Sequence, residues 1–357
     1  MLVVHPYLTE LGGAEKVFLH IVEALQEQVE DVVVLGSFPK QSEFQKVRSA
    51  PIVQTHYPYF DIGLNRFQVY QRFLWHELLR NGLRRKIGKV DLEILSQDPM
   101  FLVGAGKRRV AYVHYPENLW RLEGGSAGRK RFWKLFYLPV TLSLRRQVSR
   151  TDLLFCNSEY TRKAIMAKWG RTAQVIYPPV DVEGFTPAPK EKFVVTVGRF
   201  VSTKNYELIL EVARIMPQIK FIIVGRKPKN DEYYEKIKES KPSNLLLLAN
   251  LPYAEMISLL GRAKVYLHTM VGEHFGISVV EAMAAGCIPI VHDSGGTKEA
   301  IGNFGYIYND TNECVKCINT ALNSKVEPAI FADRASNFSV ENFKKNLIDN
   351  LKGKGFL

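Results

Sequence analysis

Phe193-Val194-Val195-Thr196-Val197-Gly198-Arg199 opens the cycle that decides the fold. Its first five residues are apolar or β-branched and read as a strand buried on both faces. A glycine turn follows, then an amphipathic helical stretch over 206–215, then a second apolar run over 220–224. Strand, turn, helix and strand in this order form a βαβ unit, whose two strands must be parallel. The rhythm continues in both directions. Toward the C-terminus, strands are predicted at 245–248, 265–268, 288–291 and 305–307, with helices at 233–240, 253–262 and 278–285. Toward the N-terminus, strands are predicted at 2–5, 32–35, 92–95, 109–113, 153–157 and 174–177, with the first helix at 14–26. Two such series in succession predict an α/β protein of two Rossmann-like, doubly wound domains.

The junction falls at Tyr177-Pro178-Pro179-Val180-Asp181, because adjacent prolines neither continue a ladder nor start a helix interior. The expected domains are 1–178 and 179–338. The remaining segment, 339–357, is expected to be a C-terminal helix packing back on the first domain. A length of 357 residues fits two domains, each large enough for a core of its own. A hydrophobic share of 46% excludes a disordered chain. The longest nearly unbroken apolar run, 135–144, is about half of what a membrane-spanning helix needs, and it contains Pro139, Thr141 and Ser143. An integral membrane protein is therefore not expected. Met1-Leu2-Val3-Val4 reads straight into the first strand, without a signal peptide. Cys156, Cys287, Cys314 and Cys317 do not form a disulfide framework in a chain this long, and a reducing, cytoplasmic setting is expected. The lone Cys314-Val315-Lys316-Cys317 lacks a second ligand pair and reads as two small helix residues.

Charge separates the halves. Residues 1–180 carry 26 basic and 16 acidic side chains, whereas residues 181–357 carry 22 and 20. The first half is the one that meets something anionic. Two of its segments, 66–89 and 128–150, interleave arginines and lysines with Phe67, Tyr70, Phe73, Trp75, Phe132, Trp133, Phe136 and Tyr137. Such a mixture suits an anionic bilayer surface and would also suit RNA. Lipid is preferred to RNA as the partner of this basic half.

Five corners could carry chemistry. Tyr7-Leu8-Thr9-Glu10-Leu11-Gly12-Gly13-Ala14-Glu15 links the first strand to the first helix, where open α/β sheets bind ligands. Its glycines let backbone approach a phosphate or sugar. Ala111-Tyr112-Val113-His114-Tyr115-Pro116 ends a first-domain strand on His114. Gly198-Arg199 and Lys204 set two cations across a loop, suited to a diphosphate. Gly272-Glu273-His274-Phe275-Gly276-Ile277-Ser278-Val279-Val280-Glu281 carries one carboxylate before a helix and one a turn inside it, with Ser278 placed near the N-cap. A carboxylate at Glu281 demands a polar partner, and a ribose or sugar hydroxyl pair is suitable. His292-Asp293-Ser294-Gly295-Gly296-Thr297 is a further glycine corner placed for phosphate. No Asp-x-Asp stands at a plausible strand end, so neither a metal nor a cofactor is expected.

In this order the pieces resemble the retaining nucleotide-sugar glycosyltransferases of family 4, which have the GT-B architecture. Glu273 to Glu281 resembles that family's E-x7-E motif. Leu267-His268-Thr269-Met270, the Glu273–Glu281 segment, Tyr112-Val113-His114-Tyr115-Pro116 and Tyr177-Pro178-Pro179 look like the α-1,2-mannosyltransferases that extend dolichol-diphosphate oligosaccharides from GDP-mannose. The resemblance implies that Arg199 and Lys204 bind the donor diphosphate and Glu281 the ribose. Glu273 and the backbone of His274, Phe275, Gly276 and Ile277 would hold the hexose and α-phosphate. Gly13 would pack on the diphosphate, Leu251 would lie at the base, and His114 would contact the sugar at the reaction centre. Tyr7 and Glu15 would lean toward the acceptor, a glycan or a polyprenyl-diphosphate-linked glycan. Together with the basic aromatic segments of the first domain, it points to a peripheral enzyme on the cytoplasmic membrane face, with no nucleic-acid partner expected. A same-fold enzyme using a UDP-sugar keeps every motif. A nucleotide-sugar epimerase would not need the basic aromatic face, and an RNA-binding protein would not need the two carboxylates.

Overall fold

A computed structural model describes residues 1–6, 12–36, 52–54, 65–116, 127–227 and 232–357. The chain divides into two compact units, Met1–Tyr177 with Lys344–Leu357, and Pro178–Phe343.

The first unit runs β1 (Leu2–His5), α1 (Gly13–Gln26), β2 (Val33–Gly36), β3 (Ile52–Gln54), α2 (Asn65–Ile87), β4 (Val90–Leu95), β5 (Gly106–Val113), α3 (Ala127–Phe136), α4 (Leu138–Arg150), β6 (Leu153–Cys156), α5 (Glu159–Trp169) and β7 (Gln174–Val175). Its described strands form one parallel sheet in the order β3-β2-β1-β4-β5-β6-β7. Leu2, Val4, Leu95, Ala111, Val113 and Leu154 are buried in a core cluster that also takes in Val140, Leu144 and Val148 of α4. Burial of that size is what a sheet covered by helices needs, at about 1.5–3 kcal/mol per large side chain. β3 has no counterpart among the predicted strands. Three residues are too few for a periodicity to register, and pairing with β2 defines it. The apolar run 135–144 is split between α3 and α4, with Pro139 tolerated in the first turn of α4, where its missing N–H costs nothing.

The second unit runs β8 (Glu191–Val197), α6 (Tyr206–Ile215), β9 (Lys220–Gly225), α7 (Glu232–Ser240), β10 (Leu245–Ala249), α8 (Tyr253–Arg262), β11 (Ala263–His268), α9 (Ile277–Ala284), β12 (Ile288–His292), α10 (Thr297–Ile301), β13 (Tyr306–Tyr308), α11 (Thr311–Asn323) and α12 (Ala329–Ser336). Its parallel sheet has the order β10-β9-β8-β11-β12-β13. The final helix, α13 (Val340–Gly353), begins in the second unit and continues into the first. There Lys344 Nζ lies 2.8 Å from Glu27 Oε1 and 3.3 Å from Glu23 Oε2, at the end of α1.

Each sheet reverses its strand order once, between β1 and β4 and between β8 and β11. At such a switch point the two connecting loops leave in opposite directions and open a crevice at the strands' carboxyl ends. Those two places are where the site must be sought.

Candidate active site

At the switch point of the second sheet, the loop after β8 meets the loop after β11. Lys204 ends a short 3-10 turn, Ser202–Lys204, and Asn205 follows in the left-handed conformation at φ 52°. Three bonds lock the neighbourhood together. Thr269 Oγ1 donates to Lys204 O at 2.6 Å, Asn205 Nδ2 donates to Thr269 O at 3.5 Å, and Thr196 Oγ1 donates to Leu267 O at 2.8 Å. The Lys204 ammonium then donates to Glu273 Oε2 at 2.8 Å and to Met270 Sδ at 3.4 Å. An ammonium has three N–H donors, so one remains for a ligand oxygen. Gly198 is required beneath this lysine, since a Cβ there would stand 2.9 Å from Tyr206 Oη and 3.4 Å from Lys204 Cδ. The Arg199 side chain is exposed and has no partner among the described residues. Its carbonyl is fixed by Tyr206 Oη at 3.2 Å.

Glu273 is held from a second side. His268, at the end of β11, is buried, and its Nε2 lies 3.5 Å from Glu273 Oε2. Burial lowers the His268 pKa and outweighs the opposing pull of Glu273, so the ring is neutral. Burial alone would raise the Glu273 carboxyl. The His268 contact and the Lys204 charge override it and hold the group well below the ordinary carboxylate range. With His268 neutral, the counter-charge comes from Lys204.

The glycine corner after β12 has a different role from the one its sequence suggests. Gly296 N–H donates to Glu273 O at 2.8 Å, and Gly272 N–H donates to Ser294 Oγ at 2.8 Å. A Cβ on Gly295 would collide with Glu273 backbone, and one on Gly296 with His274 O. The space expected for a phosphate is filled by the Glu273 loop itself. Ser278 also differs from expectation. Gly276, at φ 96°, is the N-cap of α9, and Ser278 Oγ instead accepts a 2.8 Å bond from Tyr266 Oη. No side chain caps α9, and its Val279 and Val280 amides return to Gly276 O, so the Ile277 and Ser278 amides open the helix. Phe275 is buried against Phe338 at 5.3 Å between centroids, which leaves this loop its backbone for contact. Glu281 is buried one turn inside α9. Burial raises the Tyr266 phenol, and the charges of Glu281 and Glu273 raise it further. Leu251 sits half-buried in the loop after β10, beside the left-handed Asn250.

In the first unit, His114 follows β5. Its Nε2 lies 3.1 Å from Ser96 Oγ, at the end of β4, and its carbonyl accepts from Asn157 Nδ2 at 2.8 Å. Gly13 opens α1 and is exposed. Glu15 Oε2 accepts from the Gly12 amide at 3.0 Å, a helix-capping contact its sequence reading did not include. Tyr7 lies outside the described residues. The sequence assigns no role to His268 or Met270, which the structure sets against Glu273 and Lys204. The available signal was a histidine ending an apolar strand one loop before an acid.

Two family matches account for this arrangement. Residues 11–183 match the family described as Glycosyltransferase Family 4, and residues 181–338 match that described as Glycosyl transferases group 1. The chain is a family 4 glycosyltransferase. This glycosyltransferase is 26% identical, over 95% of its length and 82% of the relative's, to the human GDP-Man:Man(3)GlcNAc(2)-PP-Dol alpha-1,2-mannosyltransferase. It is 26% identical to the enzyme of that name from Dictyostelium discoideum, over 98% and 83% of the two chains. Among solved structures, the UDP complex of Anabaena HepE superposes with a TM-score of 0.74 at 16% identity, covering 99% of both chains. Sucrose-phosphate synthase from Thermosynechococcus elongatus gives 0.73 at 14%, covering 99% and 98%. The glycosyltransferase thus has the GT-B fold, with two Rossmann-like sheets.

Proposed function

We propose that this glycosyltransferase moves mannose from GDP-mannose to a hydroxyl of a lipid-linked glycan, with retention, at the cytoplasmic face of a membrane. One observation carries the donor half of the reading. Arg199, Lys204, Glu273 and the open start of α9 stand together at the switch point of one sheet. The dolichol-linked mannosyltransferase relatives support the choice of sugar and acceptor.

The chemistry follows from the charges. The bond from the sugar C1 to the diphosphate oxygen breaks as the acceptor hydroxyl oxygen attacks C1 from the same face and passes its proton to the departing diphosphate oxygen. Positive charge develops on the sugar and negative charge on the departing diphosphate. Arg199 and the remaining N–H of Lys204 stabilise the leaving group, so no metal is needed in this reading. The backbone of His274 to Ile277 holds the α-phosphate, and Glu273 receives the hexose hydroxyls. Glu281 takes the ribose, and Leu251 lies at the base. On the first unit, His114 contacts the sugar, Gly13 packs on the diphosphate, and Tyr7 and Glu15 lean toward the acceptor. The two carboxylates act as hydroxyl acceptors rather than as the acid and nucleophile of a glycosidase.

A thermal-shift panel of GDP, UDP, ADP and their sugars tests the donor. A ligand at about 100 times its Kd adds about 2.7 kcal/mol to native stability, a shift of several degrees. GDP and GDP-mannose are expected to stabilise the enzyme. Stabilisation by UDP and not GDP would replace the donor while leaving the site in place.

A further inference from the structure

We infer that the outer faces of α2, α3 and α4 form a docking surface for an anionic lipid bilayer, lying in its interface rather than crossing it. Phe132 and Leu135 stand one turn apart on α3, Leu138 and Leu142 one turn apart on α4, and Leu74 and Leu78 one turn apart on α2. All six are exposed. Leu78 is 72% exposed, Leu135 70%, Phe132 59% and Leu142 55%. The helices are neighbours in space, because the Tyr70 ring lies 4.5 Å from that of Phe136 and Ser143 Oγ donates to Glu77 Oε1 at 2.9 Å. Leu74 falls between those two contact points along α2, and Leu78 lies just beyond the second. Inner-face residues of the same helices, Phe73, Val140, Leu144 and Val148, are buried in the core. The core therefore does not account for the outer ridge, and exposing aliphatic side chains at this density has a cost that a partner must relieve.

Charge decides the partner. Residues 127–150 contain seven basic side chains and no acid. Arg131, Lys134, Arg145, Arg146 and Arg150 are exposed beside the ridge, and Arg84, Arg85 and Lys86 close α2. The acid of α2, Glu77, is occupied by Arg80 at 2.8 Å and by Ser143. A second copy of this chain would set two strongly basic faces together, at a Coulombic cost. RNA would satisfy the cations, but five of the six ridge side chains are leucines, which offer no π-face on which bases can stack. An anionic bilayer meets both demands, with head groups against the arginines and acyl chains against Phe132 and the leucines. At 23 residues α2 is long enough to span, but it is too polar, and no helix among the described residues is both long and apolar enough to cross a membrane.

This inference deepens the lipid-linked-acceptor reading. Its test needs neither donor nor acceptor, so the two can fail separately. The full chain is sedimented with phosphatidylcholine vesicles, with and without about 30% phosphatidylserine, at low and high salt. Binding is expected only to the anionic vesicles, weakening as salt rises. The double variant Leu78→Gln/Leu135→Gln is expected to lose roughly tenfold in vesicle affinity with its melting temperature unchanged. Arg145→Glu/Arg146→Glu should lose at least as much. Absence of binding to anionic vesicles, or binding indifferent to both variants, overturns the inference. So does a dimer that Leu135→Gln dissociates, or RNA binding that the leucine variant leaves intact while vesicles fail to bind.

Discussion

Lys204 and Glu273, 69 positions apart in the chain, form an ion pair of 2.8 Å that joins the loops on either side of the second sheet's switch point. Their side chains are only 19% and 17% exposed, so solvent screens the pair weakly. The pair fixes the lysine where the proposed diphosphate would lie, and it makes that cation part of the local structure.

Removing that cation should therefore have two effects. Lys204→Met is expected to lower turnover by about 10²–10³-fold, as for one preorganised donor. It should also cost about 3 kcal/mol of stability, because Glu273 stays buried without its counter-charge. Arg199→Ala should show a comparable loss of rate and no change in melting temperature, since that side chain is exposed and has no partner among the described residues. Steady-state kinetics beside thermal melts separates the two. A Lys204→Met enzyme within threefold of wild type would remove Lys204 from the mechanism.

The pH response has a definite sign. The folded-state pKa of Glu273 lies well below its ordinary value of 4.5. Its contribution to stability is then complete above that value and is lost as pH falls below it. The melting-temperature gap between wild type and Glu273→Gln should be widest near neutrality and should narrow steadily below about pH 4.5. A gap that widens on acidification would show that the carboxyl is not held ionised.

Gly296→Ala tests the packing of the glycine corner. Gly296 has an ordinary φ of −87°, so any penalty comes from the collision of its new Cβ with His274 O. Displacement of the Glu273 loop should raise the donor KM by about tenfold while the sheet stays folded. Gly295→Ala adds the strain of φ 75° and should be the more damaging. Circular dichroism and donor titration of both variants check this, and an unchanged KM in Gly296→Ala would return the corner to an unassigned role.

His268→Phe keeps a buried ring and removes the Nε2 that stands 3.5 Å from Glu273 Oε2. Loss of one charge-assisted contact, about 1.5 kcal/mol, should raise the donor KM roughly tenfold, with a smaller change in kcat. A change in stability alone, with both kinetic constants intact, would make His268 a packing residue.

Much of this was legible in the chain. The predicted strand at 2–5 and helices at 206–215 and 253–262 coincide with β1, α6 and α8, because alternating apolar runs and amphipathic stretches are local signals. The Glu273 and Glu281 positions were readable for the same reason, being fixed by spacing along one loop and one helix. β3 was not readable, since three residues gain strand character only from the neighbour they pair with. Ser278 and the Gly295-Gly296 corner were misread because their partners, Tyr266 and the Glu273 backbone, lie elsewhere in the sequence.

The amino-acid order alone determined that two βα series follow one another, where the cations and carboxylates fall along them, and that the first half is basic. Those properties depend on periodicity and composition, which need no partner. Folding decided that Lys204 is spoken for by Glu273, that His268 stands behind it, and that six large apolar side chains of α2, α3 and α4 face outward. Contacts between residues far apart in the chain, and the choice of which helix face meets the core, exist only once the sheets have brought their loops and helices together.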